Sequence, residues 1–190
     1  TFNFSKEYKK YVIDYMVKEY KAGRTPNPDI MCNKHIKFDL FLKKSREMGA
    51  DKIATGHYVR HLEAELPSGD SVSMLSIAKD LSKDQSYFLW TLTQNQLKHC
   101  LFPIGDYLKT DVRKLAKQFK LPVFDKKDSQ GLCFVGEFNV KDFLKNFIKS
   151  KSGDVINEKG KIVGMHEGVG YYTIGQRHGI GATGNAPYYV

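Results

Sequence analysis

Residues 49–58, GADKIATGHY, decide the fold. Ile53 and Ala54 read as a short buried strand that runs straight into a Gly-His turn. Before them, Ile36, Phe38, Phe41, Leu42 and Met48 recur at helical spacing up to Gly49. Helix, strand and glycine turn in that order make the cadence of an α/β layer. Ligands of such layers gather at the carboxyl ends of the strands, which is where Gly56 and His57 fall.

Working outward, Tyr8, Tyr11, Val12, Tyr15 and Met16 predict a helix that ends near Lys21, where AGRTPNP breaks the pattern. Downstream, YVRHLEAE and SVSMLSIAK flank a PSGDS turn and predict a β-hairpin with Pro67, Gly69 and Asp70 in its loop. SKDQSYFLWTLTQNQLKHC predicts two short helices carrying Tyr87, Phe88, Trp90, Leu92 and Leu97. TDVRKLAKQF predicts a third, capped by Thr110, with Val112, Leu115, Ala116 and Phe119 as a core stripe. A strand is expected at 133–135 and a helix over FNVKDFLKNFI. After Ser152 the chain becomes glycine-rich with short apolar pieces, the pattern of a small β-barrel or sandwich. GIGATG matches a dinucleotide fingerprint, but no helical pattern follows it, so that reading is set aside.

Thirty Lys plus Arg against 21 Asp plus Glu give a net charge of +9, which suits a polyanionic partner as well as a solvated basic face. No apolar run has the length of a bilayer span. The three cysteines form no CxxC and the six histidines no HExxH, which gives a zinc site little support.

Two thiols attract attention. Cys32 sits in TPNPDIMCNKHIKF, with Asp29 a turn away, Pro26 and Pro28 before it, and Lys34, His35 and Lys37 after it. That setting predicts an electropositive, pre-set loop in which a thiolate is favoured. Cys133 follows Lys126, Lys127 and Gly131. Cys100, in KHCLFP, reads as a core residue at a helix end. Lowering a thiol pKa from about 8.5 to about 6.5 raises the thiolate fraction some 25-fold. Reduced nucleophilicity leaves only about a 2- to 4-fold net gain, so hard chemistry here needs an activated electrophile.

Together TPNPDIMCNKHIKF, GADKIATGHY, SKDQSYFLWTL, LFPIGDYLKTDVRKLA, DSQGLCFVGEFNVKDFL and SGDVINEKGKIVGMHEGVGYYTIGQRHGIG closely resemble the tRNA-specific 2-thiouridylase family over nearly all 190 residues. The resemblance implies the C-terminal part of a Rossmann-like adenine-nucleotide alpha-hydrolase (PP-loop) domain over 1–80. A mainly helical tRNA-binding region over 81–151 and the start of a small β-barrel over 152–190 would follow. It further implies an enzyme that uses ATP, with Mg as counter-ion and no protein-bound metal. That enzyme would activate carbon 2 of the wobble uridine of a tRNA and replace its oxygen with persulfide sulfur. A sulfur carrier or cysteine desulfurase would supply the sulfur.

Position by position, Cys133 matches the persulfide-bearing cysteine and Cys32 the partner that releases the sulfur through a transient disulfide. Asp29 matches an acid or base near the uracil, Asn27 and Pro28 contacts to the base, and Gly56 a backbone contact to ATP. His57, Lys83, Asp84 and Gln85 match tRNA contacts. Read without the resemblance, His57 is a satisfied turn histidine and Lys83–Gln85 a solvated helix start. The family's SGG-x-DS loop is missing from these residues and the barrel stops after its opening strands, so a central fragment inactive on its own is expected. The histidine of CNKHIKF and the valine of CFVG lean toward a mitochondrial over a bacterial cytoplasmic protein. A non-catalytic RNA-binding module and a thiol-disulfide redox protein are the rival readings.

Overall fold

A computed structural model of the chain describes residues 1–125, 133, 139–177, 179–182 and 187–190. Lys126, Lys127, Gly131, most of the strand expected at 133–135 and part of GIGATG lie outside the described residues. The chain divides into two compact units, Thr1–Tyr11 with Asp29–Ser129, and Val12–Pro28 with Gln130–Val190.

In the first unit, α1 (Ser5–Tyr8) leads into a π-helical stretch, Lys9–Ile13, which passes into α2 (Asp14–Lys21) of the second. A second helical run opens as α3 (Pro28–Met31), continues as a π-helical stretch over Cys32–Phe41 and closes as α4 (Leu42–Glu47). Proline suits the first helical position because its missing N–H would have no partner there. The run buries Ile30, Cys32, Asn33, Ile36, Phe38, Leu42 and Ser45. Gly49, at φ +91°, then turns the chain toward β1 (Ile53–Ala54).

The expected hairpin is present as β2 (Arg60–Glu65) against β3 (Ser71–Ser76), in the antiparallel register Arg60–Ser76 to Glu65–Ser71. A 3-10 turn (Ser86–Leu89) and α5 (Gln94–Leu97) follow, α5 opening with a capping box between Thr93 and Gln96. Sequence reading missed β4 (Cys100–Leu101), which pairs in parallel with β1. The core gathers Phe38, Leu42, Ile53, Val59, Leu89, Leu97, Cys100 and Phe102. Gly105 lets the next turn lie on the start of the hairpin: a Cβ there would stand 2.0 Å from the Val59 carbonyl oxygen.

Two expectations fail at α6 (Lys109–Gln118). Thr110 is not the cap: Leu108 holds that position without a side-chain bond, and the Lys109 N–H donates instead to Asp80 at 2.9 Å. Nor is the apolar stripe core, since α6 buries no residue and Phe119 is 66% exposed.

The second unit holds α7 (Val140–Lys145), whose Asn139 side chain accepts from the N–H groups of Lys141 and Asp142. It also holds the antiparallel pair β5 (Gly153–Ile156) and β6 (Ile162–His166), extended by a bridge between Gly164 and Ala182. Glu167, just after β6, pairs with Lys145 at 2.8 Å and Lys141 at 2.9 Å, and these hydrogen bonds hold its carboxyl down to about 2.

Candidate functional site

Cys32 opens the π-helical stretch and is 0% exposed. The electropositive loop expected there is a buried helical turn, because Pro28 starts a helix in place of ending a coil. Asp29 lies one turn before it, half-buried, and Asn27 and Pro28 are half-buried at the helix start. Asn33, 2% exposed, donates its Nδ2–H to the Phe88 carbonyl at 3.0 Å and so ties the Cys32 helix to the Ser86–Leu89 turn. Its Oδ1 is buried without a hydrogen-bond partner.

That turn is tied in the opposite direction as well. The Gln85 N–H donates to the Tyr58 carbonyl at 2.9 Å, and the Tyr58 N–H donates to Gln85 Oε1 at 3.0 Å. Both oxygens of Asp84 are engaged, Oδ1 by the Ala78 N–H at 2.7 Å and Oδ2 by the Ser86 hydroxyl at 2.6 Å. The bonded atoms of Asp84 and Gln85 therefore hold the strand-end turn, the hairpin's exit and the 83–88 stretch together. Lys83 is half-buried beside them.

Gly56 stands exposed at the carboxyl end of β1, and a Cβ on it would meet nothing within 4 Å. The backbone there is open to solvent on that side. His57, by contrast, turns inward. Its ring is 7% exposed, 5.6 Å from Phe38 and 6.4 Å from Phe102 between centroids, with Nδ1 2.8 Å from the Thr55 hydroxyl. Burial, with Lys37 nearby, pushes its pKa down to about 4. The buried ring with its Thr55 partner has the form of the satisfied turn histidine read without the resemblance.

All three cysteines are thiols. Cys100 is buried in β4, its Sγ donates to the Gln96 carbonyl at 3.1 Å, and burial pushes its pKa up to about 12. Cys133 is half-buried and belongs to the second unit, whereas Cys32 belongs to the first. In the second unit a cavity of about 780 Å³, lined among others by Val155, His166, Tyr172 and Ile180, contains none of the expected site residues. Among the described residues no group of three or more His, Cys, Asp or Glu is placed to hold a metal ion. No described helix is long and apolar enough to cross a membrane.

Comparison with known proteins supplies the deciding observation. Residues 1–137 match the family model described as tRNA methyl transferase HUP domain, and residues 141–190 the one described as tRNA methyl transferase PRC-barrel domain. Relatives named tRNA-specific 2-thiouridylase share this sequence. The one from Chromobacterium violaceum is 51% identical over 94% of the chain and 45% of its own length. The one from Francisella philomiragia is 52% identical over 96% and 50%.

The chain belongs to the tRNA-specific 2-thiouridylase family.

A third relative of that name, from Lysinibacillus sphaericus, is 49% identical over 99% of the chain and 50% of its own length. The chain thus spans about half the length of the relatives it matches. Family membership fixes the fold class as a Rossmann-like HUP domain of the PP-loop type followed by a PRC-barrel domain. These relatives are bacterial and lend the mitochondrial expectation no support.

Sequence reading missed Asn33 and Thr55. The polar residue beside Cys32 was visible, but its partner Phe88 is fixed only by the fold.

Proposed function

We propose that the full-length protein replaces the oxygen on carbon 2 of the wobble uridine of tRNA with sulfur. What supports this most is the identity of about half of the matched positions with relatives named tRNA-specific 2-thiouridylase, in a chain that matches both the HUP and the PRC-barrel family models. ATP, with Mg as counter-ion, would approach the Gly56 backbone and supply the activation that thiol tuning alone cannot provide. Asn27, Pro28 and Asp29 would meet the base at the mouth of the Cys32 helix, with Asp29 exchanging the proton. Lys83 would contact the RNA, with Asp84 and Gln85 holding the 83–88 stretch in place and His57 packing beneath it.

Cys133 would carry the incoming sulfur as a persulfide, delivered by a sulfur carrier or cysteine desulfurase. The Cys32 thiolate then attacks the Cys133 sulfur, the persulfide S–S bond breaks and a Cys32–Cys133 disulfide forms. The outer sulfur would take the bonding pair and add to carbon 2, whose oxygen ATP would already have adenylated with release of pyrophosphate, and AMP would then leave with that oxygen. An external thiol reductant restores both cysteines. Cys32 is fully covered and would have to be uncovered during the cycle. The 190 residues alone, without an SGG-x-DS loop, are expected not to thiolate tRNA.

Sulfur incorporation into tRNA by the full-length protein and its Cys32→Ser and Cys133→Ser variants tests the reading. Loss of incorporation in both, with tRNA binding retained, is expected. Incorporation unchanged in either variant would overturn the two-cysteine mechanism, and none in the parent itself would leave an RNA-binding module with no thiol chemistry.

A further inference from the structure

Tyr87 and Trp90 are 65% and 68% exposed although they sit in one of the best-anchored turns of the first unit. Leu89 between them is 0% exposed in the core, Phe88 is held through its carbonyl by buried Asn33, and the Tyr87 ring braces edge-on against Phe88 at 5.5 Å. In a 3-10 turn, side chains three residues apart eclipse one another. Trp90 continues the turn with φ −60° and ψ −18°, so Tyr87 and Trp90 stand on one face while Leu89 holds another. Among the described residues Tyr87 meets Phe88 edge-on, and both Tyr87 and Trp90 leave most of their surface in water.

We propose that Tyr87 and Trp90 form a stacking platform for unpaired bases of the bound RNA. The occupant follows from charge and shape. The chain carries +9, exposed Lys79 and half-buried Lys83 precede the platform, and Asn33 joins its turn to the helix that holds Cys32. Unpaired bases stack on aromatic faces whatever their identity, and cations beside the rings take the phosphates. The inference rests on the RNA-binding part of the proposed function and is tested apart from sulfur transfer.

Trp90 is the single tryptophan of these residues, which provides the probe. The tryptophan emission of the full-length protein, less that of its Trp90→Phe variant, is followed while an anticodon stem-loop RNA or a blunt RNA duplex of equal charge is added. The stem-loop is expected to quench this difference signal and the duplex to leave it unchanged. Trp90→Ala weakens stem-loop binding roughly 5- to 150-fold, the value of one base stack, while Trp90→Phe stays within a few-fold of the parent. No quenching by the stem-loop, equal quenching by the duplex, or a signal that changes with protein concentration alone would overturn the platform, the last because a second copy then covers the rings. Quenching in a protein that transfers no sulfur would uphold the platform and sink the proposed reaction.

Discussion

His57 shows how burial converts a pH-sensitive side chain into a structural one. Its folded pKa of about 4 lies below the ordinary 6.5, chiefly because burial disfavours the charged ring. The unfolded chain therefore takes up a proton before the folded one does. The stabilisation is complete above pH 6.5 and is lost as the pH falls from 6.5 toward 4. Over that window it amounts to roughly 3 kcal/mol at most. Urea unfolding of the parent should weaken steeply across it, and of His57→Gln much less; equal slopes would place the titration elsewhere. Thiol reactivity is graded by the same cause. Alkylation of the folded protein at neutral pH should label half-buried Cys133 first and spare Cys100, whose pKa stands near 12, until unfolding. Peptide mass spectrometry reads the order. Cys100 was legible as a core residue from the apolar LFP beside it. The burial of Cys32 was not, because a proline reads alike at the end of a turn and at the first position of a helix, and only packing separates the two.

At the scale of elements, local chemistry decided what could be read. The β2–β3 hairpin announced itself through SGD between alternating segments, and the helices on either side of PNP through their apolar spacing. Strand β4 has only two residues, too few for a period, and exists because β1 offers it a parallel edge. Helix α6 was read correctly as a helix but not in its start or its environment, since its first N–H is met by Asp80 from well upstream. Replacing Asp80 with Ala should therefore fray α6 and lower the midpoint of chemical denaturation, where Thr110→Ala changes it little. Gly105→Ala should cost more, about 1–3 kcal/mol, because its Cβ would meet the Val59 backbone and cannot be relieved by a side-chain rotation. A melting temperature unchanged by Gly105→Ala would contradict the close approach of the turn to the hairpin.

For the molecule as a whole, the composition change at Ser152 pointed to a small β domain, and the PRC-barrel match over residues 141–190 covers it. The paired arrangement of Tyr58 with Gln85 and of Asn33 with Phe88 was not visible, because each bond joins residues far apart in sequence. For the proposed RNA partner, the net charge of +9 would make binding weaken with salt, and a plot of log affinity against log salt should slope downward. Above all, the proposed function needs sulfur to pass between thiols of two separate units. A single-turnover reaction tests this most directly: full-length protein loaded with persulfide, tRNA and ATP are mixed, stopped with an alkylating agent and examined by peptide mass spectrometry. A Cys32–Cys133 disulfide should rise in step with thiolated tRNA and stay absent when ATP or tRNA is omitted. Thiolated tRNA forming while both cysteines remain alkylatable thiols would contradict the account.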